Sequence, residues 1–316
     1  MANVRFKTSK MNEFLNEVNL GLNRKNKKIN SKWFYDFKGS KLFEEITRLD
    51  EYYPTRTERK ILSKYKKEIS GLIGKNPVII EPGAGDTKKI TIFINSLDKP
   101  KKYIPLDISK KYINRIAKNF KKKFPKISIK PIGYDYTVSK KLPFKINSTD
   151  NIIIFFPGST IGNFEEKEAV KFLKMLKSKF KAKKIIIGAD LVKDVSTLIS
   201  AYDDKKGITA KFNKNILKRI NRELGADINL DLYKHLAIYN KSKKRVEMRL
   251  RSKKTNNIKI NGSKYLIKKN EEIHTENSHK YTIKTFEKLI KKAGWKISKT
   301  WLDDNKLFSV HCLSLL

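Results

Sequence analysis

Cysteine is almost absent from this sequence of 316 residues, which has one, Cys312, and only four histidines. A lone thiol cannot close an internal disulfide, and this supply of Cys and His offers no thiolate cluster. No metal site is expected, and a reducing cytoplasm suits the chain. Long apolar runs are missing too: the longest, residues 152–156, falls far short of the roughly 20 residues that a membrane helix needs. The opening, MANVRFKTSK, lacks the apolar centre of a secretory signal. No repeat period, Pro-rich linker or Gly/Ser tract divides the chain. What remains is read as a soluble globular protein, since hydrophobic residues reach 39% and aromatics 10%, enough at this length to build a core without staples.

Acidic residues are scarce as well, 32 against 72 Lys and Arg, which leaves a formal net charge of +40. Such an excess suggests a polyanion partner. Arginine, however, whose bidentate fork serves base reading and phosphate clamping, supplies only 11 of the 72. The rest is lysine spread along the whole length, which looks like a compositional bias laid over solvated faces. A monomer acting on a small molecule, without membrane or nucleic acid, is the expectation, and a basic nucleic-acid-binding protein stays open on charge alone.

Residues 8–24 carry Met11, Phe14, Leu15, Val18 and Leu22 at helical spacing, and a second helix is predicted from about Gly39 to Thr47. Tyr53-Pro54 reads as a turn before a helix over 56–70. Beyond it, short strands rich in β-branched residues at 77–81, 102–107, 127–132, 151–156 and 184–189 alternate with helical stretches at 87–97, 109–123 and 164–178. Runs such as VII, NIIIFF and KKIIIG are apolar on both faces, as strands of a parallel sheet covered by helices on each side must be. From about Asp194 the rhythm breaks. Helices at 194–203 and 208–224 precede strands such as KRVEMRLRS and SKYLIKK, whose alternation marks an antiparallel sheet with one wet face. A helix over 282–293 and strands near 295–301 and 307–314 return to the first pattern. The expected class is α/β, with N-terminal helices over 1–55 contributing to a substrate lobe, a parallel-sheet domain over 56–193 and 282–316, and an inserted α+β substrate-binding lobe over 194–281. A ligand between the lobes, at the carboxyl ends of the parallel strands, is what such an architecture leads one to expect.

The first strand ends in Val78-Ile-Ile-Glu-Pro-Gly-Ala-Gly-Asp-Thr87, and a helix follows at once. Gly83 and Gly85 permit a tight turn, and N–H groups at the helix start can receive a polar or anionic ligand. Taken alone, the pair fits an ordinary loop equally well. The second strand ends at Asp107, 24 residues after Gly83 and close to the roughly 20-residue spacing at which an acid meets a ribose diol. Asp107 also suits a turn before a helix capped by Ser109. The third strand leads to Tyr134-Asp135-Tyr136, where an acid could accept from an adenine amine and a ring could stack on the base, or where the chain simply turns. Three strand ends in register favour an adenosine ligand. Lys88 stands where a dinucleotide fingerprint has its third glycine, and no P-loop occurs, so S-adenosylmethionine, whose amino acid end suits Glu81 and the glycines, is the preferred cofactor.

Trp33-Phe-Tyr-Asp36 with Gly39-Ser-Lys-Leu-Phe43, and then the stretch from Ile46 to Glu58 containing EYYPTRTE, resemble the N-terminal signature of the histidine Nα-methyltransferase family of ergothioneine biosynthesis. The likeness continues in order through FPGSTIGN (156–163), GADLVKD (188–194), Ala201-Tyr-Asp-Asp204, Phe212-Asn213, Asn221-Arg-Glu-Leu224, Arg245-Val-Glu-Met248 and Ile273-His-Thr-Glu-Asn-Ser278, about residues 11 to 315 in all. The resemblance implies a Rossmann-like class I methyltransferase sheet and transfer of three methyl groups from S-adenosylmethionine to the α-amino group of L-histidine, giving hercynine. It implies cofactor contacts at Gly83, Lys89, Asp107, Asp135 and Tyr136. For the amino acid it implies that Asn163 and Tyr202 hold the α-carboxylate, that Tyr35 and Tyr52 line the pocket around amine and ring, and that Glu276 and Ser278 bind the imidazole beside Met248. Tyr52 is the candidate proton acceptor. Departures from the family pattern are Pro82, Asp86 and Lys88 in the glycine loop and Asn277 between the two imidazole-binding residues.

Each residue also has a plain structural reading. Asn163 could cap a helix with Glu166 completing a capping box; Tyr202 could be packing with a satisfied hydroxyl; Tyr52 and Tyr53 could wedge a turn before Pro54. Glu276 and Ser278 share one strand face by period two, which could be solvated, and Met248 could fill core. His274 and His279, five apart on a strand, point to opposite faces and are read as structural. An N-methyltransferase for another amino acid such as tryptophan, and a nucleic-acid methyltransferase, remain the alternatives.

Overall fold

The computed structural model describes residues 2–85, 87–135, 142–147 and 149–316, with residues 2–10 and 111 described by backbone alone. The described strands are β1 (Pro77–Pro82), β2 (Lys102–Asp107), β3 (Ser128–Ile129), β4 (Ile132–Gly133), β5 (Asn151–Phe156), β6 (Lys184–Asp190), β7 (Tyr233–Asn240), β8 (Arg245–Ser252), β9 (Asn256–Ile260), β10 (Ser263–Ile267), β11 (Glu272–His279), β12 (Trp295–Leu302) and β13 (Phe308–Leu315). The chain forms two compact units, Tyr53–Lys193 with His279–Leu316 and Met1–Tyr52 with Asp194–Ser278.

The first unit is built on an eight-stranded sheet in the order β12-β13-β6-β5-β1-β2-β3, with β4 also on β2. The strands β1, β2, β5 and β6 run parallel, and β12 and β13 close one edge antiparallel. Both faces are dry. Ile80, Ile154, Phe156 and Ile187 pack with Leu173, Leu176, Phe286 and Ile290 from helices Glu166–Ser178 and Ile283–Lys291. The alternate residues Ile79, Ile153, Phe155 and Ile186 pack with Ile61, Leu62, Ile69, Ile90 and Phe93 from the helices between Tyr53 and Ser96. Two-sided burial explains why the strands read as unbroken apolar runs. This is the α/β, Rossmann-like sheet that the resemblance implies.

Three local expectations need correction. Tyr53-Pro54 is no turn but the opening of helix Tyr53–Lys64, where proline is tolerated because first-turn N–H groups have no intrahelical partner. The helix expected over 56–70 is in fact two, Tyr53–Lys64 and Lys66–Ile73. The strand expected over 127–132 is split into β3 and β4, because Pro131 cannot donate to the ladder; Lys130 N–H bonds Tyr103 O at 2.9 Å between them.

In the second unit β11, β8 and β7 form a three-stranded sheet in that order, and β9 and β10 form a hairpin whose turn, Asn261-Gly262, has φ of 46° and 83°. Helices Ala2–Leu22, Phe37–Ile46, Val195–Ser200 and Ile208–Leu224 complete it. Asp36 caps the second of these through Gly39 N–H at 2.6 Å, and also accepts from Asn215 and Arg222. A Cβ on Gly39 would fall 1.8 Å from Phe34 O, so only glycine fits there. No described helix is long and apolar enough to cross a membrane.

Candidate active site

In the sheet unit, β1 ends in a glycine turn held to the neighbouring strand. Gly83 has φ of 72°, and the N–H groups of Gly83 and Ala84 both bond Leu106 O, at 2.8 and 3.1 Å. These two donors are therefore spent on the fold, which leaves the N–H groups at the start of helix Thr87–Ser96 as the ones the reading offers to a ligand. Both glycines are exposed, and a Cβ on Gly85 would meet nothing closer than Gly83 O at 4.0 Å, which leaves room for a group to lie against the backbone. At the next strand end Asp107 accepts from Ser109 N–H at 2.6 Å, forming an Asx turn, while Ser109 itself makes no side-chain cap bond. Asp107 lies in register with Gly133 on β4, two residues before Asp135. Asp135 stays half-buried, and its charge, after burial, raises the Tyr134 hydroxyl above its ordinary value. Beneath the turn the buried Glu81 accepts from the Tyr103 hydroxyl at 2.5 Å, and burial together with that carboxylate drives the phenol far upward. Tyr136 lies outside the described residues. The donor and acceptor set is thus carboxylates at successive strand ends beside an uncrowded glycine turn, which fits a ribose-bearing ligand with a cationic amino acid tail.

Lys89 sits in helix Thr87–Ser96 and is nearly fully buried, its Nζ 2.6 Å from Glu58 Oε2. Glu58 also accepts Gly158 N–H at 2.8 Å, and a Cβ on Gly188 would strike Glu58 Oε1 at 2.1 Å. One carboxylate therefore binds the helix after β1 to the loop after β5. That loop runs through Ser159, with φ of 55°, into the 3-10 turn Thr160–Asn163. The helix beyond it starts at Glu166 and is capped by Glu165 with Glu168, so Asn163 is not the cap and stands half-buried at the end of the turn. A Cβ on Gly162 would lie 2.8 Å from His279 O, so the turn rests against the His279 backbone within the same unit. Nearby Asp190, at the end of β6, accepts from Tyr53 Oη at 2.7 Å, pairs with Lys193 at 2.6 Å and with Lys280 at 2.8 Å, and takes Ser159 Oγ on its backbone N–H at 2.9 Å. Burial opposes its charge, but the two ammonium groups hold its carboxyl below the ordinary range.

In the other unit an aromatic cluster gathers three of the expected residues. Tyr35 is edge-on to Phe43 at 5.7 Å and to Phe212 at 5.8 Å, Phe43 to Tyr52 at 6.1 Å, and Tyr52 to Tyr202 at 6.3 Å. The Tyr202 hydroxyl donates to Ser278 Oγ at 2.6 Å. Glu276 and Ser278 are both buried on β11, not on a solvated face, and Met248 is buried on β8. Asp204, two residues after Tyr202, accepts the N–H groups of Ile208 and Thr209 at 2.9 and 2.7 Å and so ties the Tyr202 segment to the following helix. His274 Nε2 is bonded to Asn277 Oδ1 at 2.8 Å, a structural use of the departure at Asn277.

Glu58 and Asp190 were not singled out from the sequence, although a signal existed. Glu58 falls on the buried stripe of its helix with Pro54, Ile61 and Leu62, and Asp190 ends an otherwise apolar strand. An acid where periodicity demands a hydrophobe has to be paired.

Over residues 14–315 the chain matches a family model described as "Histidine-specific methyltransferase, SAM-dependent". It is 33% identical over 293 residues to histidine N-alpha-methyltransferase of Mycolicibacterium smegmatis, covering 91% of this chain and 90% of that protein. To the protein of that name from Mycobacterium tuberculosis it is 31% identical over 294 residues, with the same two coverages. Ergothioneine biosynthesis protein 1 of Neurospora crassa is 31% identical over 291 residues, covering 89% of this chain and 32% of that longer protein. The match takes in the glycine turn, the Asn163 loop, the aromatic cluster and β11 alike, and on that extent the chain belongs to the SAM-dependent histidine-specific methyltransferases.

Proposed function

We propose that this chain transfers three methyl groups from S-adenosylmethionine to the α-amino group of L-histidine, forming hercynine, a step of ergothioneine biosynthesis. The observation that carries the substrate is the buried pair on β11: Glu276, an anionic acceptor suited to an imidazole N–H, two residues from Ser278, whose Oγ is held by the Tyr202 hydroxyl at 2.6 Å. When bound, the cofactor supplies an electrophilic methyl group on a sulfonium. Gly83 would take it against the turn, Asp107 would accept from the ribose hydroxyls, Asp135 would accept from the adenine amine, and Lys89, held by Glu58, would face its carboxylate end.

The chain's own residues would then do three things. Asn163 and Tyr202 would hold the α-carboxylate through neutral donors, the Tyr202 hydroxyl hydrogen turning from Ser278 Oγ to the carboxylate, Tyr35 and Met248 would fill space around the side chain, and Glu276 with Ser278 would orient the ring. Displacement at a methyl carbon requires the attacking nitrogen in line with the leaving sulfur, so orientation supplies the larger part of the rate. The nitrogen must also be unprotonated, and Tyr52 is the acceptor proposed for its proton. The deciding experiment is incubation of the protein with the methyl donor and a panel of free amino acids, tryptophan included, and RNA. Mass gains of one to three methyl groups are expected on histidine alone; untouched histidine, or gains on another member of the panel, would overturn the reading. Tyr52→Phe tests the proton role separately. Its rate on histidine is expected to fall most at low pH, and an unchanged rate at every pH would refute it.

A further inference from the structure

The motif Phe212-Asn213 contributes a polar residue to the apolar stripe of helix Ile208–Leu224, where Thr209, Phe212, Ile216, Leu217, Ile220 and Leu224 are all buried. Asn213 is itself fully buried, and its partners His235 and Thr275 are buried as well. Its Nδ2 lies 2.8 Å from His235 Nδ1 and 3.1 Å from Arg249 O, while its Oδ1 lies 2.8 Å from Thr275 Oγ1. His235 Nε2 in turn lies 2.8 Å from Tyr202 O, and Thr275 Oγ1 lies 2.9 Å from Met248 O. Backbone carbonyls only accept, which fixes the protons on ring and amide: His235 carries its hydrogen on Nε2 and accepts on Nδ1, Asn213 donates twice, and the single Thr275 hydroxyl hydrogen is shared between Asn213 Oδ1 and Met248 O. Burial lowers the proton affinity of His235 and so favours this neutral form, although the exposed Asp203 stands 3.9 Å from the same nitrogen.

Every end of this network stops at a residue beside, or belonging to, the proposed amino acid site. Tyr202 follows helix Val195–Ser200 in a turn and is held at both ends, by His235 at the carbonyl and by Ser278 at the hydroxyl. Met248 is held at its carbonyl on β8. Thr275 immediately precedes Glu276 on β11. We infer that His235 and Asn213 are positioning residues that set Tyr202, Met248 and the Glu276–Ser278 segment at the spacing the amino acid requires; this rests on the reading of that unit as the substrate half.

The test uses the full chain and compares wild type with His235→Leu, His235→Gln and Thr275→Val. Each variant is checked for folding by circular dichroism and melting, then measured for cofactor Kd, histidine Kd in the presence of the demethylated donor, KM and kcat. His235→Leu is expected to raise histidine KM at least tenfold while cofactor Kd stays within twofold and kcat changes less than KM. His235→Gln, whose amide offers one donor and one acceptor, is expected to restore most of the loss. Thr275→Val keeps the shape of the side chain and is expected to raise KM several-fold, which keeps the inference open to refutation should the leucine variant not fold. A residue that only supported the fold would lower kcat and cofactor binding together. A folded variant with wild-type histidine KM, or a cofactor Kd that rises in parallel, overturns the inference while leaving the function standing. Failure of the wild-type protein to bind histidine overturns the function itself, and the positioning role with it.

Discussion

Glu276 is the residue on which amino acid choice should turn. It is buried, two positions from Ser278, and an imidazole N–H that lost its acceptor there would be left unpaired at a cost of about 1–3 kcal/mol, which is roughly 5- to 150-fold in affinity. Glu276→Ala is expected to weaken histidine binding by that factor in calorimetry and to leave cofactor Kd unchanged; an unaltered histidine Kd would contradict the assignment. The residue identities were legible in the sequence, because motif order and resemblance pointed to them. Their surroundings were not. That Glu276 and Ser278 are both dry, that Asn163 ends a 3-10 turn, and that Tyr202 bonds Ser278 depend on chain segments up to 76 positions apart.

Among the elements, helices and strands followed local pattern wherever pattern was strong. Helix Ile208–Leu224 and strands Lys102–Asp107 and Asn151–Phe156 lie where periodicity puts them. Misreadings cluster at prolines. Pro54 opens a helix and Pro131 splits a strand, since one residue type marks both a helix start and a break and its context decides which. A sharper dependence sits at Gly39, where the helix holding the Asp36 cap presses on Phe34 O. Gly39→Ala should force these elements apart and lower stability by about 1–3 kcal/mol, read as a reduced melting temperature. A melting temperature equal to wild type would show that the contact relaxes freely.

For the chain as a unit, the buried carboxylate of Asp190 has the widest reach, because Tyr53, Lys193 and Lys280, which it binds, lie at the three places where the chain passes from one compact unit to the other. Removing it strands two largely buried ammonium groups. Asp190→Ala is expected to cost about 3–5 kcal/mol in urea unfolding, and adding Lys280→Met should recover part of the loss. A second global effect concerns acid. Burial depresses His311 to about 3 and His274 to about 4, and lowers His235 as well. The folded state keeps these rings neutral, whereas the unfolded chain takes up protons below about 6.5, so stability should fall as pH drops from that value toward 4 and 3, by about 1.4 kcal/mol for each pH unit of depression. His274→Gln should flatten the part of that decline between pH 6.5 and 4, and an identical pH profile would exclude its contribution.

Composition, periodicity and motif order were sufficient for the α/β class, the parallel run of strands, the glycine turn and the family, since each depends on residues close in sequence or on the bare order of segments. Tertiary structure alone decided which acids are paired with which cations, which turn donors the fold has already consumed, and how Asn213 and His235 brace Tyr202. Pairing and burial are properties of neighbours in space, and a buried polar group is tolerated only where distant segments bring its partner within hydrogen-bond reach.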